Sequence, residues 1–81
     1  MAQIKLHILS PEGTLVEATA ESVLLPGTAS PFEVLPGHAP IISALDKGEI
    51  VWQTAEGEQR LAISSGFVEV KDNQVLAAIE P

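Results

Sequence analysis

At 81 residues the chain is one domain, near the lower limit of what a single hydrophobic core can hold together. Its 46% hydrophobic content, with one Trp and two Phe, calls for a core of Ile, Val, Leu and Ala around Trp52, Phe32 and Phe67. Eleven acidic against four basic side chains give a net charge of −7, which repels nucleic-acid phosphates and anionic lipid headgroups, and the absence of cysteine excludes disulfides and thiolate metal sites.

The N-terminal stretch from Gln3 to Leu9 alternates, with Ile4, Leu6 and Ile8 on one face and Lys5 and His7 on the other. Period two at this length predicts a half-buried strand and does not follow the basic-then-apolar plan of a signal peptide. No apolar run approaches the roughly 20 residues of a membrane helix, so the expectation is a cytoplasmic domain without direct membrane insertion. Ser10-Pro11-Glu12-Gly13 reads as a turn, Thr14 to Glu17 as a short strand, and Ala18 to Leu25 as another, stopped by Pro26-Gly27. After the loop Thr28 to Pro31 comes an apolar segment from Phe32 to Leu45, closed by Asp46-Lys47-Gly48. Within it Ala39 to Leu45 could form one and a half helical turns, but its Ile41-Ile42 pair favours a strand. Ile50 and Trp52 alternate with Val51 and Gln53, and Glu56-Gly57 marks a reversal. Ser64-Ser65-Gly66 signals a kink in an otherwise apolar run, and Asp72-Asn73 suits a tight hairpin before a last strand from Val75 to Ile79. Strands at this spacing, with little helical periodicity, predict an all-β, two-sheet sandwich of about ten short strands spanning residues 1–81.

The stretch with a shape of its own is Pro36-Gly37-His38-Ala39-Pro40. Each proline locks φ and removes a backbone donor, and Gly37 supplies backbone freedom between them. A chain this short does not need such an elbow in order to fold, so it reads as a contact surface flanked by apolar residues such as Ile42. Chemistry is thinly supplied elsewhere. His7 and His38 have no metal-ligand spacing with any carboxylate, Ser64-Ser65-Gly66 lacks the helix of a nucleophile elbow, and no glycine-rich phosphate loop precedes a helix. Trp52, alternating with Ile50, reads as a core residue rather than a ligand platform. His38 is either a turn residue, solvated or bonded to a nearby carbonyl, or a partner contact. The residues describe a binding or structural module, with no catalytic, cofactor or metal site expected.

Val23-Leu24-Leu25-Pro26-Gly27, the run from Val34 to Leu45 followed by Gly48, and Ile63 to Val70 carry a likeness in order and spacing. The chain resembles the epsilon subunit of the rotary F-type ATP synthase, over its N-terminal β-sandwich domain. That resemblance implies a non-catalytic rotor subunit of the central stalk. It would couple the gamma subunit to the loops of the membrane c-ring during ATP synthesis, on the cytoplasmic face of an energy-transducing membrane. It also implies that Ser10, His38 and Ser43 face gamma or the ring, together with the elbow residues Pro36, Gly37, Ala39 and Pro40. The pattern departs from many relatives at Ser30-Pro31-Phe32-Glu33, where an acidic residue is displaced, and at Ser65, which replaces a common glycine. Typical members continue into a two-helix hairpin that inhibits ATP hydrolysis and in some binds ATP. This sequence stops at Pro81, so the expectation is a chain without hairpin inhibition or nucleotide binding. The rival reading is a free-standing sandwich that binds a peptide or carbohydrate, for which three scattered large rings are a poor groove.

Overall fold

The computed structural model describes residues 3–81 and contains nine strands and no helix among them. They are β1 (Ile4–Ser10), β2 (Gly13–Ala20), β3 (Ser22–Leu25), β4 (Phe32–Val34) and β5 (Ile41–Leu45), followed by β6 (Gly48–Thr54), β7 (Gly57–Ile63), β8 (Ser65–Lys71) and β9 (Gln74–Glu80). One sheet has the order β2-β1-β9-β8-β5 and the other β4-β3-β6-β7. All neighbours are antiparallel except β1 and β9, which run parallel at the centre of the larger sheet. The all-β two-sheet sandwich expected from the sequence is therefore the observed architecture. An isolated Gly27–Leu45 bridge adds one more antiparallel contact at the seam.

Alternation builds the core. Ile4, Leu6 and Ile8 of β1, Val68 and Val70 of β8, and Val75, Ala77 and Ile79 of β9 point inward from the larger sheet. Val23, Leu25, Val34, Ile50, Trp52 and Ile63 meet them from the smaller one. No polar or charged residue is buried among the described residues, so the core needs no internal hydrogen-bond partners for side chains. Trp52 is buried within it as expected and Phe32 packs at its margin. Phe67 departs from expectation: it shares the parity of Glu69 and Lys71, and its ring is 65% exposed on the outer surface.

The chain changes sheet where its local chemistry allows. β2 runs unbroken through Glu17-Ala18, where a strand boundary was expected, and ends at Ala20; Glu21 then carries the chain into the other sheet, donating its N–H to Gln53 O at 2.8 Å. Ser64 makes the return crossing from β7 to β8, rather than a kink inside one strand, and its N–H is taken by Glu80 O at 2.8 Å. Residues 26–28 lie along the outer strand β5, with Thr28 N–H donating to Ala44 O at 2.9 Å and Asp46 N–H to Pro26 O at 2.8 Å. That strap satisfies edge groups that would otherwise invite pairing with another chain.

A further crossing is the elbow, which joins β4 in the smaller sheet to β5 in the larger. Leu35 to His38 form a tight turn closed by His38 N–H donating to Leu35 O at 3.0 Å. Pro36 stands second and Gly37 third with φ of +85°, the requirement of a type II turn.

Candidate interaction surface

The outer faces of the two sheets differ in chemistry. On the smaller sheet Glu49, Gln53, Glu58 and Arg60 surround Val51 and Leu24. Arg60 donates to Glu49 Oε1 at 3.1 Å and also to Glu58, which accepts a further bond from Gln53 Nε2 at 3.0 Å. The guanidinium, and then Gln53, hold the Glu58 carboxyl below the ordinary carboxylate range, and Glu58 raises Arg60 in turn. This face is solvated and internally paired.

The larger sheet instead carries an apolar row across its outer face, among polar neighbours such as Lys5, Glu69 and Lys71. Its register sets Leu9 opposite Ala78, Ala78 opposite Phe67, and Phe67 opposite Ala44, an outward row crossing four strands. At about 4.8 Å per strand the row spans roughly 14 Å. The neighbouring row is His7, Leu76, Glu69 and Ile42, in which Ile42 is 75% exposed. Around the first row lies a shallow hollow of about 650 Å³ that also includes Ser10, Pro11 and Ser65. An apolar patch with a polar rim marks an interaction site.

The residues singled out in the sequence fall at different places on this framework. The parallel pairing of β1 with β9 puts the elbow beside the start of β1 and the β8–β9 turn, and puts Ser10 at the opposite end of the sheet. At about 3.3 Å per residue the seven residues of β9 separate those ends by roughly 23 Å. Ser10 closes its own turn: its hydroxyl accepts the Glu12 N–H at 3.2 Å and donates to Gly13 O at 3.3 Å. Pro36, Gly37, Ala39 and Pro40 are exposed. His38 is half-buried, its Nδ1–H donates to Ala39 O at 2.6 Å, and its ring lies 6.4 Å from that of Phe32. Ser43 stands in register with the inward Val68 and donates to Ala44 O at 2.9 Å, whereas Ile42 points outward. His7 shares a hydrogen bond with Thr14 Oγ1 at 3.1 Å. Among the described residues no three His, Cys, Asp or Glu side chains converge as a metal ion needs. Phe67, Leu9, Leu76 and Ala78 were not anticipated as a surface, although the parity shared by Phe67 and Glu69 carried the signal.

The sequence profile of the ATP synthase delta/epsilon chain β-sandwich domain matches residues 3–79. The chain belongs to this family. ATP synthase epsilon chains are among its relatives: that of Desulfitobacterium hafniense (strain DSM 10664 / DCB-2) is 43% identical over 70 residues, covering 86% of this chain and 53% of that protein. That of Sulfurovum sp. (strain NBC37-1) is 38% identical over 81 residues, covering 99% and 63%. The chain thus spans roughly half to two-thirds of the length of these epsilon chains. Among solved structures, a chain of the Euglena gracilis mitochondrial ATP synthase, OSCP/F1/c-ring in rotational state 1, superimposes with a TM-score of 0.90 at 23% identity, covering all of this chain and 52% of that one. A chain of the Tetrahymena thermophila mitochondrial ATP synthase central stalk/c-ring gives 0.78 at 9% identity, covering 96% and 63%. The delta/epsilon sandwich fold is therefore shared across these assemblies at low sequence identity.

Proposed function

We propose that the domain is a non-catalytic central-stalk module of an ion-translocating F-type ATP synthase that transmits torque between the gamma subunit and the c-ring. The outer face of the larger sheet takes gamma, with Phe67 and Ile42 as anchors and the elbow of Pro36, Gly37, His38, Ala39 and Pro40 completing one end. The opposite end, with Ser10 and the Ser30-Pro31 loop, stands over the polar loops of the ring. Ser43, inward on the edge strand β5, braces the contact from behind. In the assembled synthase the domain rides on the cytoplasmic side of the energy-transducing membrane.

The observation that carries this reading is the unequal chemistry of the two faces in a chain of this family. One face is paired and charged, and the other exposes a large ring flanked by Ala44, Ala78 and Leu9. The molecule measures 32 × 24 × 18 Å, so its broad face offers roughly the 800 Å² per partner that a standard stable interface uses. A two-sheet sandwich suits a load-bearing role, because interdigitated sheets resist shear together. Relatives named as ATP synthase epsilon chains, and structural neighbours from F1/c-ring and central-stalk assemblies, support the same partners.

The test is co-purification with the gamma subunit of the same synthase. The wild-type chain is expected to retain gamma, and Ile42→Arg or His38→Arg to lose it while keeping the β-sheet circular dichroism signal. Unchanged gamma recovery by both variants would refute the assignment of this surface.

A further inference from the structure

Gly37 and Asn73 are 36 residues apart in sequence, and the Gly37 N–H donates to Asn73 Oδ1 at 2.7 Å. The donor is the third residue of the type II turn, whose amide takes no part in the turn's own closing bond. The two other hydrogen bonds formed by Gly37 and His38, His38 N–H to Leu35 O and His38 Nδ1–H to Ala39 O, are local to the elbow. The Asn73 bond instead ties the elbow to the larger sheet.

The acceptor is itself held. Asp72 and Asn73 both have positive φ, of 52° and 59°, as a two-residue type I′ hairpin turn between Lys71 and Gln74 requires. The Asn73 carbonyl accepts the Lys5 N–H at 2.9 Å, joining the turn to the start of β1. Asn73 therefore sits on a backbone fixed by two strands and extends its one free acceptor to a third segment. Glycine would satisfy the φ requirement of that turn position equally well; what asparagine adds is the side-chain oxygen.

We propose that Asn73 is a positioning residue for the partner-facing elbow: its side-chain amide sets the direction in which Pro36 to Pro40, and His38 with them, are presented. The elbow and the β8–β9 turn then form one rigid corner rather than two independent loops. The inference rests on the gamma-docking reading above for what the corner presents, and on the Gly37–Asn73 bond alone for how it is held.

The test compares Asn73→Gly and Asn73→Asp in the 81-residue chain. Both tolerate the left-handed turn, but only the second keeps an acceptor oxygen at the same reach. Hydrogen exchange at the Gly37 amide, followed by NMR, is the first readout, and the dissociation constant for gamma the second. Asn73→Gly is expected to leave the melting temperature near wild type, to accelerate Gly37 exchange by about tenfold or more, and to weaken gamma binding. Asn73→Asp is expected to restore both. Unchanged Gly37 exchange in Asn73→Gly, or equal acceleration in both variants, would overturn the clamp whatever gamma does. Faster exchange with undiminished gamma binding would overturn the positioning role while leaving gamma docking intact. A wild-type chain that fails to bind gamma would remove the docking reading, and this inference with it, before any variant is compared.

Discussion

Phe67 of β8 stands directly across from Ala44 of β5, and Ala78 of β9 flanks it on the other side. Neither alanine is large enough to cover the ring, so it projects from the sheet and remains largely in solvent. Lone apolar residues on surfaces are common, but an uncovered aromatic in the middle of an apolar row has the character of an interface anchor. Replacing Phe67 by Ser should leave thermal stability unchanged and weaken gamma binding by about 30-fold, the effect of losing roughly 2 kcal/mol at a hot spot. Surface plasmon resonance against immobilised gamma measures this, and equal affinities would remove Phe67 from the contact.

Gly66 sits where a side chain has no room. A Cβ there would meet Ala78 O at 2.6 Å and Ile79 Cγ2 at 2.8 Å. Both contacts belong to the central strand β9, which cannot retreat without losing its pairing with β1. Gly66→Ala should therefore destabilise the domain by about 1–3 kcal/mol, the usual range for overpacking. A urea titration would show a lower midpoint at an unchanged slope.

Leu25 is fully buried at the end of β3 and packs into the core that both sheets share. Leu25→Ala should cost about 2–5 kcal/mol, a large part of the stability of so small a domain. Trp52 is the single tryptophan and is buried in the same core, so its emission reports the shift of the unfolding midpoint directly.

The Glu58–Arg60 pair gives a pH dependence of known sign. The folded-state pKa of Glu58 lies below its ordinary value, so its contribution is present at neutral pH and is lost as pH falls below about 4.5 toward the depressed folded value. Glu58→Gln should flatten that acid limb slightly. Because the pair is fully solvent-exposed, high salt should abolish the difference between the two proteins. Thermal denaturation across the acid range, with and without salt, reads both effects.

What the amino-acid order revealed depended on how local the signal was. The alternation of Ile4, Leu6 and Ile8, the β-branched pair at Ile41-Ile42 and the Asp72-Asn73 turn each act within a few residues, and the structure has the two strands and the hairpin they predicted. Phe67 was assigned to the core on hydrophobicity although its parity with Glu69 pointed outward; the alternation outweighed the side chain's size. The sheet changes at Glu21 and Ser64 were less visible, since a strand that switches layers keeps its alternation on both sides. The separation of Ser10 from the elbow and the Gly37–Asn73 bond were beyond reach. The first depends on β1 and β9 meeting in parallel across nearly the whole chain, and the second on β5 pairing with β8.

The central place of β9 has a consequence for biosynthesis. On the ribosome it is the last of the nine strands to emerge, yet it must slot between β1 and β8, each of which has one edge unpaired until then. The larger sheet therefore cannot close until β9 itself has left the exit tunnel. Nascent β1 and β2 can form at most a hairpin, which alone is marginal in water. Completion waits for β9 and is dominated by long-range contacts, so the unfinished chain passes through a window in which early-made strands depend on their own charge, or on a chaperone, to stay apart.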